Sequence, residues 1–386
     1  MKLFVSGRKE VFQKLEAKVS GDDRFIWMHV ASLGEYEQGL PILERIKSKY
    51  SSHKIALTFF SPSGYEVKKN TGIADVVVYL PMDTLSNAKR YLININPEIA
   101  IFIKYEIWPN YLYELKKRGI PTLLVSAIFS KRQVFFKPYG GFMRKSLKTF
   151  SHFFVQNESS KHLLASLNFE NVTVSGDTRF DRVSEILKQD NVLGFMKDFK
   201  KSDFCLVAGS TWPEDEEILV DFINSSEKTV KYVIAPHTIK PVHIEKIQAS
   251  LTKKSVCYSK LAQENVADYE VIIIDTIGLL TKIYSYADVA YVGGAFATGL
   301  HNTLEPAVYG IPVIIGPNYL GFREAEDLVD RNGIHVITDN SSFTGLMNRF
   351  ISDSDFRNKT GNTNTDYIKE NLGATELVME FIHTLL

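Results

Sequence analysis

The sequence is poor in everything that would make a disulfide, metal or membrane-spanning protein. Of 386 residues only Cys205 and Cys257 are cysteines, too few for a disulfide framework and suited to a reducing compartment. No apolar run approaches the ~18 residues of a spanning helix, and residues 1–12 lack the apolar stretch of a signal peptide. No His/Cys set has zinc spacing. Neither Gly-x-Ser-x-Gly nor a Walker A string occurs, which sets aside the hydrolase elbow and the P-loop. Asp353-Ser354-Asp355 matches the Asp-x-Asp of metal-dependent sugar-nucleotide enzymes. It lies in a polar stretch with no strand before it, so it is a poor metal site.

What is present is an uneven distribution of charge. The net charge is zero, yet residues 1–150 carry 24 Lys+Arg against 13 Asp+Glu, and the remainder 21 against 32. A first half at +11 facing a second at −11 points to an anionic partner for the first: phospholipid, lipid phosphate or nucleic acid. A solvated basic face is the plainer reading.

The length suits two domains rather than one core. Short apolar runs rich in β-branched and aromatic residues alternate with amphipathic segments, the βα pattern of parallel sheets covered by helices. Strands are predicted at 25–30, 54–58, 75–80, 99–103, 122–126, 152–155 and 172–174, then at 204–207, 230–235, 271–274, 289–292, 313–315 and 334–337. The spacing restarts after a polar stretch. Domains are therefore expected at 1–182 and 203–386, with a linker at 183–202 and a last helix, near 374–386, able to pack back on the first domain. Two Rossmann-like domains facing across a cleft bring the C-terminal ends of both sheets to it, and ligands of such sheets bind there.

The loops after strands carry the chemistry. The first strand ends in His29-Val30-Ala31-Ser32-Leu33-Gly34-Glu35. Gly34 permits a tight turn ahead of the next helix, whose first turn holds Glu35. A carboxylate there caps the helix dipole or serves as a general base toward an acceptor hydroxyl. Glu37, two residues on, points elsewhere. The fourth strand runs into Lys104-Tyr105-Glu106-Ile107-Trp108-Pro109. Glu106 either orients Glu35 or a substrate group, or pairs with Lys104. In the second half, Gly209-Ser210-Thr211 precedes a helix and offers N–H groups and hydroxyls to an anion, although Ser/Thr more often cap helices. Gly293 and Gly294 end a strand and allow close backbone approach by a ligand. A helix starting near Asn302 would aim its positive end at an anion, and Glu305 within it would accept from a ribose diol.

From Ser130 to Lys145, basic residues Lys131, Arg132, Arg144 and Lys145 interleave with Phe135 and Phe136. That mix suits an interfacial segment on anionic lipid. A single-stranded nucleic-acid groove uses the same ingredients, and a buried helix with a basic rim is the plainer alternative.

Taken in order, Ser32-Leu33-Gly34-Glu35, Glu106-Ile107-Trp108-Pro109, Gly176-Asp177-Thr178-Arg179-Phe180-Asp181, Gly209-Ser210-Thr211, Asp275-Thr276-Ile277-Gly278, Gly293-Gly294 and His301-Asn302-Thr303-Leu304-Glu305-Pro306 resemble the Kdo transferases, which attach 3-deoxy-D-manno-octulosonic acid to the lipid A precursor. The strings cover roughly residues 5–330. The resemblance implies a GT-B fold and an inverting transfer without cofactor or metal. CMP-Kdo would be the donor, bound by the C-terminal domain, and the lipid A precursor the acceptor, bound by the N-terminal one. Glu35 matches the family's general base and Glu106 a second acidic position near it. Ser210, Thr211, Gly294, Asn302 and Glu305 match positions around the donor, with Gly293 beside them. The place is the cytoplasmic face of the bacterial inner membrane, on an anionic surface, with no nucleic-acid partner.

Three departures stand out. Family members usually open with an apolar anchor helix, whereas Lys2-Leu3-Phe4-Val5-Ser6-Gly7-Arg8 resembles the segment just after such an anchor, so the resemblance implies a missing anchor. His237 stands after Pro236 where many relatives have Arg, with Lys240 able to compensate as an anion contact. Lys104 stands where many relatives have an acid. Other readings are a sugar-nucleotide epimerase of the same fold, told apart by binding UDP rather than CMP, and a two-domain solute-binding protein without chemistry. An RNA-binding module is told apart by preferring RNA over acidic vesicles.

Overall fold

Strands with no polar face must be covered on both sides, and the sequence supplies such strands twice over. The computed structural model describes residues 2–263, 265–297 and 299–386. Its strands are β1 (Phe25–Val30), β2 (Lys54–Phe59), β3 (Val76–Tyr79), β4 (Pro97–Ile103), β5 (Thr122–Ala127), β6 (His152–Val155), β7 (Val172–Val174), β8 (Phe204–Thr211), β9 (Val230–Pro236), β10 (Ser255–Cys257), β11 (Val271–Ile273), β12 (Val289–Val292), β13 (Val313–Ile315) and β14 (Ile334–Val336). They form two seven-stranded sheets, ordered β3-β2-β1-β4-β5-β6-β7 and β10-β11-β9-β8-β12-β13-β14. All the pairings are parallel. The sequence reading missed β10, a three-residue edge strand too short to show a pattern.

Every residue of β1 is buried. Trp27 at its centre packs against Tyr91, Phe102 and Tyr111 with ring centroids 4.9, 5.1 and 5.8 Å away. Helix Leu33–Lys49 follows β1 and buries Tyr36, Leu40, Leu43 and Ile46. Helix Pro109–Lys117 follows β4. Pro109 stands in its first turn, where no N–H is needed, and Asp83 accepts from the backbone N–H groups of Asn110 and Tyr111.

The chain divides into two compact units, one running to Arg182 and including Asn371–Leu386, the other Val183–Glu370. The expected linker at 183–202 is instead part of the second unit. It forms a short turn of helix, Glu185–Lys188, and helix Gly194–Lys200, which buries Met196 and Phe199. Its polarity is that of an amphipathic surface helix. The final helix, Ala374–His383, belongs to the first unit, where Val378, Met379 and Ile382 join the core. Asp181 fastens it by accepting from the backbone N–H of Gly373 and Thr375 at 2.8 and 2.6 Å. Nearby, Asp177 accepts from Gln38 and pairs with Arg179. The Gly176–Asp181 string thus does architectural work.

Candidate active site

In each sheet the strand order reverses about one point, where the flanking loops diverge and leave a crevice. In the first sheet that point lies between β1 and β4. Glu35 follows β1 and Glu106 follows β4, so the topology brings both carboxylates to the same crevice.

Glu35 sits in the first turn of its helix, only 5% exposed. Its Oε2 accepts a short hydrogen bond from the backbone N–H of Ala31. Burial, and then the charge of Glu106, push its pKa from 4.5 up to about 7, against opposing pulls from the Ala31 and Ser32 backbone and the Lys104 ammonium. Burial disfavours the carboxylate, and a neighbouring like charge adds to that. A carboxyl that loses its proton near neutrality is suited to general base work. Glu106 Oε2 accepts from the Trp108 indole at 2.9 Å and lies 3.4 Å from His29 Nε2. Lys104 adopts φ +68°, a backbone region that costs a non-glycine residue roughly 1 kcal/mol or more and that clusters at functional sites. Its ammonium lies 5.3 Å from the Tyr105 ring centroid. Glu37 turns away to Lys68 and Arg182.

In the second sheet the reversal lies between β8 and β12. Here several expected ligand contacts are taken by the protein itself. Ser210, at φ +54°, lies within the strand rather than in a turn. The Thr211 hydroxyl donates to Glu216 at 3.0 Å, and His243 lies 3.1 Å from the same oxygen. At Gly293 a Cβ would meet Ser210 O at 2.5 Å and Asp215 Oδ2 at 2.7 Å, and at Gly294 it would meet Gly299 O at 2.3 Å. The space that a Cβ would fill at both glycines is occupied by their own chain. Buried Asp215 gathers this corner, accepting from Tyr291 Oη, Gly294 N and Trp212 N at 2.6, 2.8 and 2.9 Å.

The helix expected from Asn302 is the four-residue Leu304–Ala307, too short for a dipole of consequence. Glu305 accepts from Asn302 Nδ2 and Thr281 Oγ1, both at 3.1 Å. His237 stacks on Trp212 and His301, with centroids 4.8 and 4.6 Å apart, and Trp212 Nε1–H donates to His301 Nε2 at 3.0 Å. These three rings come from the loops after β8, β9 and β12.

The basic–aromatic segment divides. Phe135 is 5% exposed and packs edge-on against Phe129 and Phe136, itself partly buried. Arg144 donates to the carbonyls of Phe135 and Lys137. These three side chains hold the segment together, which corrects their expected place at headgroup depth. Lys131, Arg132 and Lys145 are exposed, and the aromatics that project are Tyr139 and Phe142, 78% and 70% exposed. Asp353 caps the helix Ser354–Glu370 by accepting from Phe356 N at 2.9 Å, which accounts for the Asp-x-Asp string. Among the described residues no three His, Cys, Asp or Glu side chains are grouped to hold a metal, and no helix is long and apolar enough to cross a membrane.

The profile of a family described as 3-deoxy-D-manno-octulosonic-acid transferase (kdotransferase) matches residues 6–182, nearly the whole stretch that carries Glu35 and Glu106. A 3-deoxy-D-manno-octulosonic acid transferase of Chlamydophila psittaci is 29% identical over 334 residues, 83% of this chain and 74% of its own length. One from Haemophilus influenzae is 27% identical over 383 residues, 94% and 87% of the two chains. Residues 6–182 thus match the Kdo transferase family model, and the chain is similar to Kdo transferases over most of its length. It is a glycosyltransferase, and its two-unit α/β architecture is the GT-B fold. That fold is shared by UDP-GlcNAc 2-epimerase from Neisseria meningitidis solved with UDP-GlcNAc, at TM-score 0.65, 14% identity and coverage of 94% and 100%.

Sequence reasoning paired Glu35 with Glu106, which the topology of the first sheet brings to one crevice, but passed over His29 and Asp215. His29 had a signal: a lone imidazole in the otherwise apolar strand Phe25–Val30. Asp215 had none, because an acid in the first turn of a helix is ordinary.

Proposed function

We propose that this glycosyltransferase moves Kdo from CMP-Kdo to the 6′-hydroxyl of the lipid A precursor, with inversion and without a metal. The observation that carries the reading is a buried carboxyl, Glu35, held near pKa 7 beside a second carboxylate at the switch point of the first sheet. Glu35 takes the proton of the acceptor hydroxyl as its oxygen attacks the anomeric carbon. The new C–O bond forms while the bond from that carbon to the CMP oxygen breaks, and CMP leaves with the electron pair. Glu106 orients the acceptor or the base. Lys104 supplies a positive charge that balances the two acids.

The donor reading rests on the family and on the switch point of the second sheet. In this reading Ser210, Asn302 and Glu305 would contact the nucleotide and sugar, with the Trp212–His237–His301 stack beside them. Oriented N–H groups and hydroxyls can stabilise a phosphate leaving group without a metal. An anionic membrane surface, the cytoplasmic face of the inner membrane, fits a segment that exposes Tyr139 and Phe142 together with Lys131, Arg132 and Lys145, since aromatic rings and cations together favour such an interface.

The test is incubation with CMP-Kdo and tetraacylated lipid A precursor, with and without EDTA, reading CMP release and product mass. A mass gain of one or more Kdo residues that survives EDTA supports the proposal. No transfer by folded protein, with turnover of UDP-GlcNAc instead, moves the assignment to the epimerases.

A further inference from the structure

Behind Glu106 lies a run of buried polar groups that the proposed chemistry does not use. Trp27, His29 and Thr58 are all fully buried, and His29 and Thr58 are paired in register across β1 and β2. The Trp27 indole N–H donates to Thr58 Oγ1 at 2.8 Å. The same oxygen lies 2.9 Å from His29 Nδ1 and 3.5 Å from the carbonyl of Met28. His29 Nε2 makes no hydrogen bond of normal geometry, and 3.4 Å away is Glu106 Oε2.

Counting protons orders this chain. An indole only donates, so Thr58 Oγ1 accepts from Trp27 and has one proton to give. His29 Nδ1, at 2.9 Å, is a far better acceptor than a carbonyl at 3.5 Å. Nδ1 therefore accepts, and the imidazole proton lies on Nε2, facing Glu106. The opposite tautomer would set a nitrogen lone pair against a carboxylate oxygen 3.4 Å away. Contacts of this kind are often long in an empty site and tighten when substrate binds.

We propose that His29 is a positioning residue for proton transfer at Glu35. It closes the donor chain from Trp27 through Thr58 onto Glu106 and, with the Trp108 indole, holds that carboxylate fixed beside Glu35. This rests on Glu35 being the base. The groups facing the pair are Lys104 and Tyr105 from the loop after β4, the Ala31 and Ser32 N–H groups on Glu35, and His29 and Trp108 on Glu106.

Two readouts test it. Nitrogen-15 NMR of histidine-labelled wild-type protein should show His29 as the Nε2–H tautomer, and Thr58→Val should shift its Nδ1 resonance. An Nδ1–H tautomer overturns the proposal whatever the activity. The second readout is the pH profile of kcat/KM for transfer. His29→Leu, which lacks a donor, should lower the plateau about tenfold, the equivalent of one pKa unit of lost interaction. It should also change the shape of the acid limb, because a Glu106 side chain free to turn no longer presents Glu35 with a fixed neighbouring charge. His29→Gln, whose amide N–H can reach Glu106, should restore the wild-type limb. A His29→Leu profile of wild-type shape but uniformly lower, or a Gln variant no better than Leu, would show a merely structural histidine. Full activity in Glu35→Gln would sink the assignment of the base, while the wild-type NMR spectrum would still decide the tautomer.

Discussion

A base held ready at neutral pH makes the protein less stable than it need be, and Glu35→Gln should reveal by how much. The Glu35 carboxyl titrates at 4.5 when unfolded and at about 7 in place, chiefly because it is buried and secondarily because Glu106 is charged. Between those values the folded chain binds a proton that the unfolded chain has released. Stability therefore falls as pH rises across the window and levels off above it. A span of roughly 2.5 pH units at 1.36 kcal/mol each amounts to about 3 kcal/mol. Glutamine keeps the shape and an acceptor for the Ala31 N–H but has no charge to desolvate. The variant should match wild type near pH 4.5 and exceed it by about 3 kcal/mol at pH 8. With urea slopes of about 1–3 kcal/mol/M, its midpoint at pH 8 should rise by on the order of 1 M. The assay is urea unfolding at a series of pH values, followed by the fluorescence of Trp27 and Trp108, both in the first unit. A gap that does not change with pH, or a wild type as stable as the variant at pH 8, would refute the reasoning.

The same ionisation should govern rate. With Glu35 needed as its carboxylate, kcat/KM should rise tenfold per pH unit below about 7 and level off above it; a flat profile from pH 5 to 8 would count against it. Gly293→Ala should destabilise the second unit by several kcal/mol, about the cost of forcing atoms into a packed interior or more, because the added carbon meets Ser210 O at 2.5 Å. A melting temperature within about 1 °C of wild type, too small a shift for such a cost, would contradict that packing. Tyr139→Ser with Phe142→Ser should weaken sedimentation with anionic vesicles several-fold more than Phe135→Leu in folded protein, since only the first pair projects. Equal losses would return the membrane role to the buried rings.

The fold was legible where strands are buried on both faces. Unbroken apolar runs such as Phe25–Val30 and Val289–Val292 leave little else for the chain to form. Legibility failed where an element is too short for a period, as at β10, and at 183–202, where exposed polarity hid buried Met196 and Phe199. In the candidate site, Glu35 and Glu106 could be paired because topology, not side-chain detail, brings the loops after β1 and β4 together. The glycines were harder. Gly293 and Gly294 looked like room for a ligand, but tight turns and close self-packing use glycine for the same steric reason. Phe135 and Phe136 could not be told from Tyr139 and Phe142 without knowing which side of a short helical turn faces the core.

The central claim is that Glu35 removes the acceptor proton, and its most direct test compares wild type with Glu35→Gln at pH 8 for both transfer and donor binding. The account predicts that kcat falls by ~10² or more, the usual contribution of a positioned base, while donor affinity stays within about twofold, too small a change to involve a lost contact. A variant that turns over at the wild-type rate, or one whose lost activity is explained by lost donor binding, would contradict it.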